Sequence, residues 1–293
     1  MNKRKLATGI AAGIITAALP IASTGGTGNL LEQAFSRAWK NARSVDYAPP
    51  SVEEVKATQQ LFKRLLQGEK AGRLRDEFAA LGWKLSQGTA GGATWTIVAE
   101  EDSGRTGRGL YAFSNGGRHA LQAPHVPSDT MTGDILLRYA EDGLPRALAW
   151  NTVPRRSADL AHLERSYLIA FSRAFAEVYP AETIFQFHGF DAWKRRSFDG
   201  AQSSAIVSPG HRHAGPELQS AVKCMQKHVD ARSRLYGSDV HELGGVTNSV
   251  ARALQRDGHD LFVHVEMDLP LRARLAGDPA LRRDFLACYG GKQ

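Results

Sequence analysis

The sequence is poor in cysteine and lacks the short motifs that mark several large classes of enzyme. Its 293 residues include only two cysteines, Cys224 and Cys288, which form neither a CxxC pair nor the spacing of a zinc ribbon. There is no P-loop and no GxGxxG after a predicted strand, so a nucleotide cofactor is not predicted. The GxSxG and HExxH signatures are also missing, which argues against the common serine hydrolases and the HExxH metalloproteases.

Neither basic nor acidic residues are in strong excess. The chain has 37 basic and 30 acidic residues, a formal net charge of +7. Because no dense basic run is interleaved with aromatic residues, a nucleic-acid partner is not predicted. No internal repeat is visible. A chain of 293 residues with 42% apolar side chains can bury a sizeable core, as one large domain or two small ones.

Residues 1–22 have the layout of an export signal. The basic letters "KRK" precede an uncharged run of 17 residues, 6–22, which is somewhat short for a membrane-spanning helix. The run has no clean small-x-small cleavage site, because cleavage after Ala22 would place Pro20 at the third position before the cut. The basic start and the uncharged run are nevertheless typical of an export signal. We therefore predict a periplasmic or secreted protein, with an uncleaved membrane anchor as the alternative. In an exported chain Cys224 and Cys288 can form one disulfide, and two buried free thiols are the other reading.

The hydrophobic pattern divides the rest of the chain into two parts. Residues 23–90 are predicted to be a helical N-terminal extension, in which Ser51 and Glu54 form a capping box. In residues 91–293 strand-like and helix-like segments alternate, which predicts an α/β domain with a mixed, largely parallel sheet and helices on both faces. One long helix is predicted over "ADLAHLERSYLIAFSRAFAEVY", and the strands that matter most are "HALQAPH", "RALAWNT", "ETIFQFHGF" and "DLFVHVEMDL".

Polar residues stand at the ends of these predicted strands. His125 ends one strand and is followed by Asp129, Asn151 ends the next, and His188 ends the third. In such sheets ligands bind beyond the carboxyl ends of the strands, so we expect these side chains to converge. Two histidines and one carboxylate are the ligand set of a catalytic zinc site with one open position. Glu266, an acid on an otherwise apolar strand, is the candidate general base.

Each of these four residues also has an ordinary structural explanation. His125 can be a strand-terminal histidine bonded to the backbone, and His188 can be a buried histidine with satisfied hydrogen bonds. Asp129 can be the N-cap of the helix that follows it, and Glu266 can pair with an arginine. The four residues together favour a site, because all four explanations would have to hold at one edge of the sheet.

The order of the motifs "APH…D", "NT…R" before "DLAH", "HGF", "TNSVAR" and "VHVE" resembles the zinc-dependent carboxypeptidase-like superfamily. Its N-formylglutamate amidohydrolases and phage poly-γ-glutamate hydrolases are the most similar branches, and the resemblance covers about residues 107–275. It implies a phosphorylase/hydrolase-like fold, Zn²⁺ held by His125, Asp129 and His188, and Glu266 as the base. It also implies that a substrate carboxylate is held by members of the set Arg155, Arg156, Asn248 and Arg252. Asn151, at the end of its strand, is a further candidate for substrate binding. Metallocarboxypeptidases proper place two residues between the first histidine and a glutamate, whereas three residues precede an aspartate here.

Other histidines offer alternatives. His211 and His213 lie in a loop rich in glycine and proline; they are the replacement if His125 is not a ligand, although a solvated loop is the more common explanation. His162 follows Asp159 by one predicted helical turn, which allows a contact to a ligand or to substrate, or a plain helix-surface position. His264 shares the face of its strand with Glu266.

These observations predict an exported zinc-dependent hydrolase. It would cleave an amide or peptide bond near a free carboxylate, with metal-activated water and Glu266 as general base. The predicted partner is a small peptide or amide substrate that carries a carboxylate. The alternatives are a non-catalytic exported binding protein that retains the fold, and a metal-dependent esterase or deacetylase.

Overall fold

The computed structural model describes residues 30–42, 46–101, 106–126 and 128–290, so the predicted export signal lies outside the described residues. Among the described helices, none has both the length and the apolar character needed to cross a membrane. The helices are α1 (Leu30–Ala42), α2 (Val52–Leu66), α3 (Ala71–Ala80), α4 (Thr132–Glu141), α5 (Tyr167–Val178), α6 (Phe198–Gln202), α7 (Pro216–His228), α8 (Ser249–Arg256), α9 (Leu269–Gly277) and α10 (Pro279–Ala287). The strands are β1 (Trp83–Ala90), β2 (Ala93–Glu100), β3 (Leu110–Ser114), β4 (Arg118–Ala123), β5 (Pro145–Trp150), β6 (Ile184–Gly189), β7 (Ala205–Ser208), β8 (Ser233–Leu235) and β9 (Phe262–Met267).

The described strands form a single nine-stranded sheet in the order β1-β2-β3-β5-β4-β6-β9-β7-β8. Strands β5, β4, β6 and β9 are parallel and form its centre. Strands β1 to β3 add antiparallel pairs on one side, and β7 pairs antiparallel with β9 on the other. The predicted α/β class with a mixed sheet is confirmed. The carboxyl ends of the four central strands lie at one edge, which we call the carboxyl edge.

Two hydrophobic clusters cover the opposite faces of this sheet. Neighbouring strand residues alternate between them: Leu121 and Phe185 belong to the first cluster, and Ala120 and Ile184 to the second. The first cluster contains residues of α1, α4, α7, α9 and α10. The second contains residues of α2, α3, α5 and α8. Helices therefore lie on both faces, and the polar residues of the site described below share the face of α5 and α8.

The sheet begins earlier in the chain than the sequence predicts. Residues 83–90, inside the range predicted as a helical extension, form β1, which pairs with β2 along its whole length. The turn between the two strands contains Gly91 and Gly92, with φ of 56° and 74°. Glycine adopts this left-handed region without steric cost, and consecutive glycines suit a tight hairpin. The division of the chain into an extension and a domain stays a prediction.

The long predicted helix is shorter than its hydrophobic pattern indicates. Helix α5 begins at Tyr167, where the hydroxyl of Ser166 accepts a hydrogen bond from the backbone N–H of Ile169. Residues 158–166 form a turn, bends and irregular backbone instead. A serine N-cap stabilises a helix start at this point.

Cys224 of α7 and Cys288, directly after α10, form a disulfide with a Cα–Cα distance of 5.5 Å. The structure thus agrees with the paired alternative and not with two free thiols. The bond joins residues 64 positions apart in the sequence and ties the last helix to α7. It fits a protein that folds in an oxidising compartment.

Replacing both cysteines with alanine is expected to lower the free energy of unfolding by about 4 kcal/mol, because the cross-link removes loop-closure entropy from the unfolded chain. Urea denaturation of the wild-type protein and of the double variant measures the difference. Reductant should lower the stability of the wild type to that of the variant and leave the variant unchanged. A difference below about 1 kcal/mol would contradict a stabilising role for this bond.

Candidate metal centre

Strands β6 and β9 place four polar side chains side by side. Their register pairs Gln186 with His264 and His188 with Glu266. The residues between them, such as Phe187 and Val265, belong to the hydrophobic cluster on the other face. Gln186, His188 and His264 are buried, and the Oε2 atom of Glu266 has no access to solvent. The predicted common face of His264 and Glu266 is therefore confirmed.

His125 lies just beyond the end of β4. The sequence predicts a strand that runs to His125, but β4 ends at Ala123, because Pro124 has no N–H with which to continue the ladder. The chain turns at this point, and the carbonyl of His125 accepts hydrogen bonds from the N–H groups of Ser128 and Asp129, both at 2.8 Å. The turn brings the Asp129 side chain back beside the imidazole of His125.

The carboxylate of Asp129 is directed at the histidines and does not cap the next helix. The N-cap position of α4 is Met131, which makes no side-chain cap bond. It is the backbone carbonyl of Asp129 that accepts a hydrogen bond from the hydroxyl of Thr132, at 2.7 Å. The carboxylate oxygen Oδ2 accepts a hydrogen bond from the N–H of Gly189, at 3.0 Å. This bond holds the carboxylate at the end of β6, next to His188.

Three ligand atoms from distant parts of the sequence meet here. The Nδ1 atoms of His125 and His188 are 3.1 Å apart. Oδ2 of Asp129 lies 3.4 Å from the first and 3.6 Å from the second. In a tetrahedral zinc site with bonds of about 2.0–2.1 Å, ligand atoms lie about 3.3–3.4 Å from one another. The three buried residues can therefore hold a metal ion almost without rearrangement.

Hydrogen bonds leave the Nδ1 lone pair of His188 free for a metal. Its Nε2 donates to Oε1 of Gln186, at 2.9 Å. The orientation of the Gln186 amide is fixed, because Oε1 also accepts from Nδ2 of Asn248 at 2.5 Å and Nε2 donates to Oε1 of Gln122 at 2.9 Å. Since Oε1 of Gln186 can only accept, the proton of the neutral His188 ring is on Nε2.

His125 is held in the same tautomer by a carboxylate. Its Nε2 donates to Oδ1 of Asp159 at 2.8 Å, and Oδ2 of Asp159 accepts from Nε of Arg155 at 2.9 Å. Metal-bound histidines commonly donate their other ring N–H to such a carboxylate or amide. Two Nδ1 lone pairs 3.1 Å apart repel each other unless a positive charge lies between them. A proton or a metal ion supplies that charge.

The pKa shifts of His125 and Asp129 also favour a positive charge between the two histidines. Burial disfavours the imidazolium form of His125, but the carboxylates of Asp129 and Asp159 outweigh it and raise the pKa of His125. Burial likewise opposes ionisation of Asp129, yet its bonds to the two histidines hold its pKa well below the usual value. Burial lowers the pKa of His188 to about 4, so its ring is neutral at neutral pH, as a metal ligand must be.

Glu266 has one buried carboxyl oxygen, Oε2, without a hydrogen-bond partner among the described residues. Burial and the charge of Asp129 raise its pKa to about 8. Its Oε2 atom and the Nδ1 atom of His264 make no hydrogen bond to any described residue. A dication bound nearby would lower the pKa of Glu266 and favour its ionised form. Glu266 is thus placed to exchange a proton with a group in the adjoining cavity.

A cavity of about 350 Å³ opens over these residues. His125, His188, His264 and Glu266 line it, together with His162, Arg155 and the loop of residues 241–248. The side chain of Arg155 is 47% exposed. The cavity therefore adjoins two of the three candidate metal ligands, Glu266 and one exposed guanidinium group.

Three of the residues that the sequence predicts to bind substrate do not line the cavity, and two of these three make hydrogen bonds within the protein. Asn151 bonds to the N–H and the carbonyl of Val153 at 3.0 and 2.8 Å. Arg252 donates to the carbonyl of Val246, and Arg156 is exposed beside Arg155. Arg155 thus lines the cavity, whereas these three residues are not among those that line it.

Asn248 lines the cavity, but its side chain already makes three hydrogen bonds within the protein. Its Oδ1 accepts from the N–H groups of Val250 and Ala251, as the N-cap of α8, and its Nδ2 donates to Gln186. His162 also lines the cavity, and its Nδ1 lies 3.1 Å from the carbonyl of Thr247. Neither residue contacts the ligand atoms directly.

His211 and His213 do not join the metal centre. They follow β7, which runs antiparallel to β9, so the carboxyl end of β7 lies away from the carboxyl edge. Among the described residues, neither histidine belongs to a group whose ligand atoms are close enough to hold a metal. His211 and His213 therefore do not replace His125 in the group of ligand atoms that the structure brings together.

Sequence reasoning missed the residues that orient the ligands. Asp159 was noticed only as a neighbour of His162, and its contact with His125 spans 34 positions. Gln122 and Gln186 were not noticed, although Gln186 precedes His188 by two residues and so shares its face. A glutamine buried between phenylalanines is costly without partners, and that was the available signal.

Replacing Asp159 with alanine is expected to weaken metal binding about 10- to 100-fold, because the Nε2–H of His125 loses its acceptor and the ring is no longer held in the ligand tautomer. Competition with a chromophoric chelator measures the dissociation constant. Asp257, which pairs with Arg173 on the surface, is the matched control. An unchanged constant in Asp159→Ala would show that the carboxylate does not orient His125.

No protein-family model matches this chain, and no curated protein matches it.

Proposed function

We propose that the protein is an exported zinc-dependent hydrolase that cleaves an amide or peptide bond near a free carboxylate. One observation carries the proposal: Nδ1 of His125, Nδ1 of His188 and Oδ2 of Asp129 converge within 3.1 to 3.6 Å, in the same cluster as Glu266, whose buried Oε2 atom has no hydrogen-bond partner among the described residues. The order of the sequence motifs, which resembles the zinc-dependent carboxypeptidase-like superfamily, supports the same reaction.

Zinc is the metal that the ligand set favours. Two imidazole nitrogens and one carboxylate oxygen are typical of catalytic zinc, whereas magnesium and calcium prefer sites made of oxygen ligands. The spacing of the three atoms suits a tetrahedral ion, and the cavity that His125 and His188 line would let a substrate approach an ion held there. When bound, zinc lowers the pKa of water and polarises a carbonyl group.

The residues of this chain supply the remaining parts of the reaction. The Glu266 carboxylate accepts a proton from the attacking water and delivers it to the leaving nitrogen, so the acyl product keeps the oxygen and the amine leaves protonated. Asp159 and Gln186 hold the two histidines in place. Arg155 binds a substrate carboxylate through its planar guanidinium group, which directs the scissile bond toward Glu266.

The Cys224–Cys288 disulfide supports the exported location. Disulfides persist in the periplasm and outside the cell, and they are rare in the cytosol. The compartment and the need for a substrate carboxylate together favour small peptides or acylated amino acids as substrates.

Metal analysis combined with a substrate panel tests the proposal. We expect one zinc per chain in protein purified without chelator. We expect hydrolysis of amides that carry a carboxylate next to the scissile bond, and much slower hydrolysis of the same amides with that carboxylate esterified. Absence of metal would point instead to a non-catalytic binding protein, and cleavage of esters alone to an esterase.

A further inference from the structure

A second group of ligand atoms lies beside the metal centre and includes one of its members. His188, His264 and Glu266 each offer a ligand atom, and these atoms lie within 4.8 Å of one another. The rings of His188 and His264 have centroids 4.4 Å apart and an interplanar angle of 32°. Neither the proposed ligand set nor its orienting residues use His264.

Unsatisfied polar atoms point to a ligand at this second group. Nδ1 of His264 and Oε2 of Glu266 are both shielded from solvent, and neither has a hydrogen-bond partner among the described residues. Leaving a buried polar atom unpaired costs roughly 1–3 kcal/mol. A cation satisfies an imidazole nitrogen and a carboxylate oxygen at once, and His264 and Glu266 both line the cavity through which an ion can enter.

The shared histidine limits the number of ions. Nε2 of His188 donates to Gln186, so Nδ1 is the one lone pair that His188 can offer. One lone pair binds one metal ion. An ion bound by His188 with His264 and Glu266 therefore excludes an ion bound by His188 with His125 and Asp129.

We propose that this protein has two alternative positions for a single metal ion, a first position at His125, Asp129 and His188 and a second position at His188, His264 and Glu266. The first position is tighter, because its ligand atoms lie 3.1 to 3.6 Å apart, close to the spacing of a tetrahedral zinc site, and because Asp159 orients His125 for it. An ion in the second position occupies the carboxylate that the proposed hydrolysis needs free.

Equilibrium binding of zinc and cobalt to purified protein, measured by chelator competition, tests this inference. The wild type is expected to bind one ion. His125→Ala, which damages only the first position, is expected to bind one ion about 100-fold more weakly, because only the weaker second position, whose ligands no such orienting carboxylate supports among the described residues, then keeps three ligands. Adding His264→Ala to it should remove this residual binding, as should His188→Ala alone. His162→Ala, which changes another cavity histidine, is the control and should bind as the wild type does.

Three outcomes would overturn the inference. The first is binding of two ions by the wild type. The second is a His125→Ala variant that binds no better than His188→Ala. The third is residual binding that survives in the double variant, because Asp129 and His188 alone would then hold the ion. If His125→Ala does not fold, as judged by circular dichroism, Asp129→Asn replaces it, since this substitution also spares the second position. None of these measurements uses a substrate, so the inference can stand or fail independently of the proposed hydrolysis.

Discussion

His188→Ala is expected to abolish metal binding, with an affinity loss on the order of 10³-fold or more, and with it any metal-dependent activity. His188 supplies the one histidine that belongs to both groups of ligand atoms, so no alternative set of three remains among the described residues. Isothermal titration with zinc, together with metal analysis of the purified variant, measures the effect.

The control for this experiment is His162→Ala. His162 lines the same cavity, but it is absent from both groups of ligand atoms, so zinc affinity should not change. Circular dichroism must show that His188→Ala keeps its secondary structure, because His188 is also bonded to Gln186. Binding of zinc by folded His188→Ala with wild-type affinity would place the metal elsewhere.

Glu266→Gln is expected to lower kcat by about 10²- to 10⁴-fold while zinc remains bound, because an amide cannot take up the proton of the attacking water. Glu242→Gln, which changes the other glutamate of the cavity lining, is the matched control and should keep most of the activity. Metal content and kcat are measured on the same samples. Activity above about one tenth of the wild type in Glu266→Gln would remove Glu266 from the role of base.

The same substitution has a second expected effect, on stability. Because the folded-state pKa of Glu266 is raised from its usual 4.5 to about 8, the metal-free protein loses stability as pH rises through this range. Glutamine has no proton to lose at these pH values. The metal-free variant should therefore be at least as stable as the wild type at pH 7, and its advantage should increase toward pH 8, in urea denaturation at each pH. A variant that is less stable throughout would contradict the burial of an unpaired carboxyl group.

Part of the candidate site could be read from the sequence because a strand alternates its side chains between two faces. Glu266 alternates with apolar residues, so it faces the same side of its strand as His264. His188 follows a phenylalanine in the same way and faces the side opposite to it. Crossover connections between predicted strands then placed the strand ends at one edge. His125 was predicted correctly as a neighbour of His188, although its strand ends two residues earlier than expected.

The orienting residues could not be found in the same way. Asp159 was assigned to a helix that begins only at Tyr167, and its contact with His125 depends on the path of the turns before that helix. Gln122 and Gln186 bond to each other across neighbouring strands. Such a pair depends on strand order, which local patterns do not specify.

The sequence by itself determined the α/β class, the polar residues at the strand ends and the availability of two cysteines for a disulfide, because hydrophobic period and residue chemistry are local properties. Only the tertiary structure decided that Asp129 turns to the histidines and does not cap α4, that both histidines present Nδ1, and that the end of β7 carries His211 and His213 away from the carboxyl edge. Each of these outcomes depends on a hydrogen-bond partner or a strand direction that is set by residues far away in the chain.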